Sequence, residues 1–523
     1  MTASIGNLSR RIRRISWASL FIPRIEDLVF ISIFLSVIVI GPRLLNMDGD
    51  IGRHITIGSY ILDNGKVPIG DIFSHTMAGL PLTPHEWFAQ LIFAVAFRLA
   101  GLDGIVVFCA FLIAITFTLV FRQAHEISNL SLASLVLTVI AAAAASIHWL
   151  ARPHLFTLLF VVLWIGELKR WKKTGRWRWW VLPLLMLFWV NSHGAFIVGI
   201  LILGIYLIDL VLSGQRKGIT PGKEKFRLVL GSIIKNPQRV VIFSSISVVL
   251  LTLLNPVGWR IWETTMSFLG SRYLVSHTFE YQPPDFQKLS FLPFLISIAL
   301  SVGIFSLNRK SLSIADMLLL TTWTVFGLVS ARNIPIYAVI AVPILAGASS
   351  SIFRDSLHLG KFVQYDHNIQ RVEKRLLGYL WPAAITILVV GILFSGSALD
   401  LNKSGNRFSD KVFPVKAVEW ASLQPDMGLV FNYFPWGGYL LYTSWPQQRV
   451  FIDGQTDFYG EPLTRKYEEV ISIGSDWEKI LAEYQVSWIL MPQDAPLVSV
   501  LATHPAWRLK YADQTAVIYA YAH

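Results

Sequence analysis

Residues 87–100 read WFAQLIFAVAFRLA. The run is apolar, but it is shorter than the roughly 20 residues a membrane helix needs, and it carries Arg98. Its reading sets the sidedness of everything that follows. If the run crossed a membrane, the loop ELKRWKKTGRWRW (167–179) would fall outside, against the tendency of Lys and Arg to stay cytoplasmic. If the run lies on the membrane or dips in and returns, every later basic loop falls inside. One assignment repairs several loops at once, so the sequence predicts that 87–100 does not span.

Working outward from it, the first apolar run, Leu28–Leu45, follows Arg10, Arg11, Arg13, Arg14 and Arg24. That flank places the N-terminus in the cytoplasm. Pro42 and Arg43 stand where a cleavage site would need small residues, so the run reads as a retained anchor. Further spans are expected at Gly104–Phe121, Leu132–His148, Leu155–Leu168, Trp180–Asn191, Gly194–Leu212, Val240–Leu254, Leu289–Leu307, Ile314–Ser330, Ile336–Ser350 and Gly378–Ser397. The basic segments 214–239, Asn308–Lys310 and 352–377 then lie inside, and the C-terminus outside. The expected fold is an α-helical polytopic membrane protein of about eleven spans, with a basic cytoplasmic N-terminus at 1–27. The membrane domain covers 28–398, its outer loop 46–103 carries membrane-surface helices, and 399–523 forms an extracytoplasmic domain. The setting implied is a cell (inner) membrane.

Composition agrees. Hydrophobic residues make up 54% and charged residues 15%, against roughly 25% charged in soluble chains. The net charge of +12 sits in the short loops, as topology requires, and gives no case for nucleic acid. The single cysteine, Cys109, excludes an intrachain disulfide and any cysteine metal motif. After residue 400 the pattern changes. Helix-like stretches (Val415–Leu423, Glu461–Ile471, Trp477–Tyr484) alternate with short apolar runs expected as strands (Leu429–Tyr433, Arg449–Ile452, Val486–Met491, Ala516–Tyr521). Such alternation points to a small α/β domain.

With sidedness assigned, the unusual polar residues fall on the outer face. The first loop offers Asp48, Asp50, Arg53, His54, Asp63, Asp71, His75, His85 and Glu86. Later outer turns add Arg152, His154, Asn191, His193, Asn255, Arg260, Glu280, Asp285, Arg332 and Asn333. Ionisable groups at membrane depth are costly and usually mark a functional path. Carboxylates beside Arg and His suit acid/base chemistry on a polar or anionic substrate. Each residue also has a bland reading. Asp63 and Asp71 fit a turn or a cap, and His75 a surface histidine. Glu86 fits a helix N-terminus, Arg152 and Arg332 fit helix ends, and His193 fits a satisfied turn. The one-sided clustering, which sidedness did not use as input, carries the functional reading.

The stretches GDIGRHITIGSYILDNGKVPIGDIFSHT (49–76), HEWFAQ (85–90), ARPHLFTLL (151–159), WVNSHGAF (189–196), NPVGWR (255–260), VFNYFPWGGYLLY (430–442) and VFIDGQTDFYG (450–460) resemble a bacterial subgroup of the GT-C class of membrane glycosyltransferases. An acidic pair opening a long outer loop, then many spans and an outer C-terminal domain, is similar to that class, which includes protein O-mannosyltransferases, the lipid A aminoarabinose transferase and oligosaccharyltransferases. The resemblance implies an inverting transfer of a hexosyl or pentosyl group from a polyprenyl-phosphate donor to a glycan, lipid or protein acceptor. It implies Asp50, then Asp48, as the base, with Glu86 as the second loop carboxylate. Arg152, Arg260 and Arg332 would hold the carrier phosphate, and His54, Asp71, His85, His154, Asn191, His193 and Asn333 are further substrate-binding candidates. Oligosaccharyltransferase-type members use a divalent metal; no specific motif here supports one, and no cofactor is expected. The motif WWD of oligosaccharyltransferases is absent, with PWGGY (435–439) and FIDGQTD (451–457) in the C-terminal domain instead.

Two other functions remain open from sequence. A transporter or flippase would need polar residues through mid-membrane and inverted repeats, and span interiors here are almost free of charge. An envelope scaffold would use the outer domain alone, with Asp453, Asp457 and Tyr459 as a binding turn or a self-stabilised one.

Overall fold

The computed structural model describes residues 21–216, 237–307, 312–355, 359–376, 378, 380–395, 405–425 and 427–522. The basic stretch 1–20, most of the expected loop 214–239, and Asn308–Lys310 lie outside the described residues.

Each expected apolar run coincides with a helix. The first, α1 (Ile25–Val39), is followed by a short helix, Gly41–Asn46, because the backbone turns at Ile40 just before Pro42. Next come α2 (Asp50–Asn64), α3 (Trp87–Ser128), α4 (Ser131–Ala145), α5 (His154–Thr174), α6 (Val181–Val190), α7 (Ile197–Arg216) and α8 (Pro237–Leu251). After the amphipathic α9 (Arg260–Gly270) follow α10 (Leu292–Leu307), α11 (Ile314–Val329), α12 (Ile334–Asp355) and α13 (Gly360–Glu373). The last apolar helix is α14 (Leu380–Phe394). Five helical segments among the described residues are long and apolar enough to cross a membrane.

The stretch 87–100 is helical and runs into the next expected span as one element, α3. The element bends sharply inside: Ala100 leaves helical geometry (φ −152°), and Gly101 takes φ 59°, ψ −147°. Only glycine adopts that conformation readily. Residues 87–99 and 102–128 are thus two helices joined without a loop.

α12 is the hub. It packs on α3, α4, α5, α10 and α11. Its middle, Ile336 to Ala346, is buried almost without interruption, as expected of a helix apolar on every side. α5 sets the polarity of the bundle. It begins at His154 and ends in Lys172 and Lys173, about 30 Å further along at 1.5 Å per residue. That is the thickness of a bilayer's hydrocarbon. At the lysine end, Glu167 is held by Arg170 and Arg178, and Lys172 pairs with Asp209 at 2.6 Å.

The C-terminal domain has a four-stranded sheet of β1 (Leu429–Asn432), β2 (Val486–Pro492), β3 (Trp507–Ala512) and β4 (Ala516–Tyr521), in the order β1-β2-β4-β3. β1 and β2 are parallel; the other pairs are antiparallel. Alternate residues feed two cores. Val430, Trp488, Leu490 and Ile518 join the core shared with the membrane domain. Phe431, Ile489, Met491 and Val517 join a separate core on the other face. This is the two-residue period of a strand covered on both sides. The expected strand Arg449–Ile452 does not join the sheet. Val450 bridges Ser74 of the first loop instead, with His75 N–H donating to Val450 O at 3.0 Å and Val450 N–H to Phe73 O at 3.1 Å. Its backbone groups found a partner in another part of the chain. β3 was not among the expected strands, although Trp507, Leu509 and Tyr511 alternate with Arg508 and Lys510 as in a strand with one polar face.

Candidate active site

The loop after the first apolar run leads directly into the N-terminus of α2. Asp48 Oδ1 accepts the N–H of Asp50 at 2.8 Å, and Asp50 is the first residue of the helix. The helix dipole thus favours both carboxylates. Asp50 is 6% exposed. A Cβ on Gly454 would overlap its carboxylate, and one on Gly438 would overlap the carbonyl of Gly49. The turns PWGGY and DGQTD (453–457) of the C-terminal domain are therefore pressed against the start of α2, the first on its backbone and the second on the Asp50 carboxylate. Glycine is required for that approach.

One cluster centres on Arg152, at the turn ARPH leading into α5. Its Nε meets Asp48 Oδ2 at 2.7 Å, its Nη2 meets Asp50 Oδ2, and its Nη1 meets Glu280 Oε1. Arg332, in the turn before α12, lies 3.6 Å from Glu280 and donates to Tyr281 Oη at 3.2 Å. The far nitrogen of Arg332 meets His193 Nε2 at 3.2 Å, and His193 Nδ1 meets Thr157 Oγ1 at 2.9 Å. Trp189 Nε1–H donates to the same Thr157 hydroxyl at 2.9 Å. His154 abuts His193 and hydrogen-bonds the carbonyl of His148 at 2.6 Å.

A second cluster centres on Arg53, one turn along α2. It donates to Gln455 Oε1 at 2.9 Å, reaches Glu86 Oε2 at 3.3 Å and lies 3.9 Å from Asp453. His54 lies 3.8 Å from Glu86, and His85 3.6 Å from Asp457. Helix α2 thus carries both clusters, and the C-terminal domain completes the second.

The charges are tuned by burial against pairing. Burial raises the Asp48 carboxyl, opposed by Arg152. Burial also works against the charge of Glu280, but Arg152 and Arg332 prevail and hold it far below its ordinary value. Burial, opposed by Arg53, raises Asp453. His54 and His193 are pushed well below the ordinary imidazole value, first by burial and then by Arg53 and Arg332 respectively. Both are neutral near pH 7, so His193 Nε2 accepts from Arg332.

Of the predicted residues, Asp48, Asp50, His54, His85, Glu86, Arg152, His154, His193 and Arg332 come together. Four do not face the clusters through their polar contacts. Asp71 closes a turn, accepting from Phe73 N–H at 3.0 Å and Ser74 Oγ at 2.5 Å. Asn191 accepts from Trp87 Nε1 at 2.7 Å and donates to Leu254 O at 2.9 Å. Arg260 donates to the carbonyl of Leu82. Asn333 reaches Phe326 O at 3.4 Å. Asn191, Arg260 and Asn333 tie turns to helices, and Asp71 serves its own loop. Arg53 and Glu280 stood on the outer face in sequence without being selected; Thr157 and His148 carried no signal at all.

No family model matches the chain, and no curated protein matches it in sequence. Solved structures do match. The apo oligosaccharyltransferase of Archaeoglobus fulgidus aligns over 94% of this chain and 74% of its own, with 11% identity and a TM-score of 0.52. The same enzyme tethered to an acceptor peptide containing the NVT sequon aligns over the same shares, with 13% identity and a TM-score of 0.54. ArnT from Cupriavidus metallidurans in the apo state aligns over 94% of this chain and 97% of its own, with 15% identity and a TM-score of 0.44. The chain has the GT-C fold, shared with the oligosaccharyltransferase. It is a multi-pass membrane protein.

Proposed function

We propose that this chain is a membrane glycosyltransferase that moves a sugar from a polyprenyl-phosphate-linked donor to an acceptor hydroxyl outside the cell membrane. The observation that carries this reading is the placement of Asp50. It opens the first outer helix of a GT-C fold, is buried at one end of the bundle, and stands among guanidinium groups beneath the C-terminal domain. The N-terminus is cytoplasmic and the C-terminal domain extracytoplasmic, supported by the lysine-rich end of α5 lying a bilayer's thickness from the site.

Asp50 takes the proton of the acceptor hydroxyl. The acceptor oxygen attacks the anomeric carbon as the bond to the phosphate oxygen breaks, inverting the carbon, and the polyprenyl phosphate leaves with the electron pair. Arg332 is the cation for that leaving charge: its side chain is 32% exposed, whereas the nitrogens of Arg152 are taken by carboxylates. A preorganised donor aimed at developing charge is worth about 10²–10³ in rate. Glu86 and the Arg53 cluster line the adjoining part of the site, where sugar hydroxyls would find acceptors.

The test is Asp50→Asn, assayed by consumption of polyprenyl-linked sugar in proteoliposomes. Turnover should fall by at least about 10²-fold, the ordinary worth of a general base. Unchanged turnover would refute the assignment.

A further inference from the structure

A likeness to oligosaccharyltransferases brings with it a divalent metal at the first-loop acids, and the side chains here do not fit one. A divalent ion needs several oxygens at about 2.0–2.6 Å. Asp48, Asp50 and Glu280 converge, but on a guanidinium that stands at their centre. Arg152 Nε, Nη2 and Nη1 each serve a different carboxylate. The planar fork of arginine offers five N–H donors in fixed directions, which suits three separate acceptors. Among the described residues, no three His, Cys, Asp or Glu side chains are arranged to hold a metal ion. Nor is Arg152 loosely placed. Its turn is tied to the short helix Gly41–Asn46 through Ala151 N–H donating to Leu44 O at 3.2 Å, and Pro153 follows at the head of α5. A metal ion entering the set would meet both Arg152 and Arg332 as like charges.

We infer that Arg152 is a built-in counter-ion standing where a divalent cation would stand, so that Asp48, Asp50 and Glu280 take no metal while the guanidinium is present. Its role as a positioning residue for Asp50 rests on the glycosyl-transfer reading; the exclusion of metal does not. Two of the carboxylates belong to the start of α2 and the third to the loop between α9 and α10, so the guanidinium also pins both to the head of α5. Arg152 is thereby withdrawn from binding the carrier phosphate.

The test is a Mn²⁺ titration of the full chain in lipid nanodiscs, followed by the electron paramagnetic resonance of free Mn²⁺. The wild type should show no saturable site that depends on Asp50. Arg152→Gln leaves the three carboxylates without their cation and should gain one Mn²⁺ site, at least about tenfold tighter than any in the wild type, since a contact charge has gone. Adding Glu280→Gln should remove the gained site. In parallel, the infrared band of protonated carboxyl groups should persist to higher pH in Arg152→Gln, because loss of an adjacent cation raises a carboxyl pKa. A wild-type Mn²⁺ site abolished by Asp50→Asn would overturn the inference. So would a folded Arg152→Gln protein that binds no Mn²⁺. If that variant does not fold, the wild-type titration with and without Asp50→Asn decides alone. Mn²⁺ is read without turnover, so this outcome stands apart from the sugar-consumption assay.

Discussion

The two arginines at the head of the bundle look alike in sequence and differ in what they touch. Arg152 is consumed by three carboxylates; Arg332 keeps one side toward His193 and Tyr281 and only approaches Glu280. Arg332→Gln is therefore expected to lower kcat/KM by about 10²-fold through loss of transition-state charge stabilisation. Arg260→Gln, which loses only bonds to loop carbonyls, should stay within a few-fold; equal losses in steady-state kinetics would contradict the division. The neutral histidines make a second residue-scale prediction. The folded pKa values of His54 and His193 lie well below the unfolded 6.5. Below about pH 6.5 the unfolded chain binds protons the folded chain refuses. Their contribution is fully present above that pH and is lost as pH falls. Asp48 and Asp453, raised by burial, pull the other way, so the reading is a difference. Thermal unfolding between pH 7.5 and 5 should lose less midpoint in His193→Gln than in the wild type. Identical slopes would mean that His193 is charged or solvated in the folded protein.

Between elements, contact is made through backbone. The joint between α2 and the C-terminal domain depends on Gly438 and Gly454, where a Cβ would meet a carbonyl or the Asp50 carboxylate. The neighbour of Gly438 is backbone that cannot swing aside, so Gly438→Ala must push the two elements apart, at about 1–3 kcal/mol by the usual cost of overpacking. Gly101→Ala should cost a similar amount, about 1–3 kcal/mol, for its conformation, and should straighten the bend between the surface segment and the span. Gly204, with open space around its Cβ position, is the control: its alanine variant should unfold at nearly the wild-type temperature. The glycines were visible in PWGGY and DGQTD, but not what they would be pressed against, because the contact joins segments almost 400 residues apart.

At the scale of the whole molecule, sidedness is directly testable. The single native cysteine, Cys109, is buried, so introduced cysteines report alone. Thr174→Cys should react with an impermeant maleimide only from the cytoplasmic side, and Asp494→Cys only from outside. The reverse pattern would invert the topology and place the site on the wrong face. Periodicity and charge alone determined the apolar helices and the gathering of polar residues at their ends. These follow from local composition, because a bilayer sorts residues by hydropathy and loops by charge. The packing of separate helix ends into two clusters, the commitment of Arg152 to carboxylates, and the pairing of Val450 with the first loop instead of the sheet needed the tertiary structure. Those contacts join distant parts of the chain, and which of many possible partners each group takes is settled only when the helices and the outer domain close on one another.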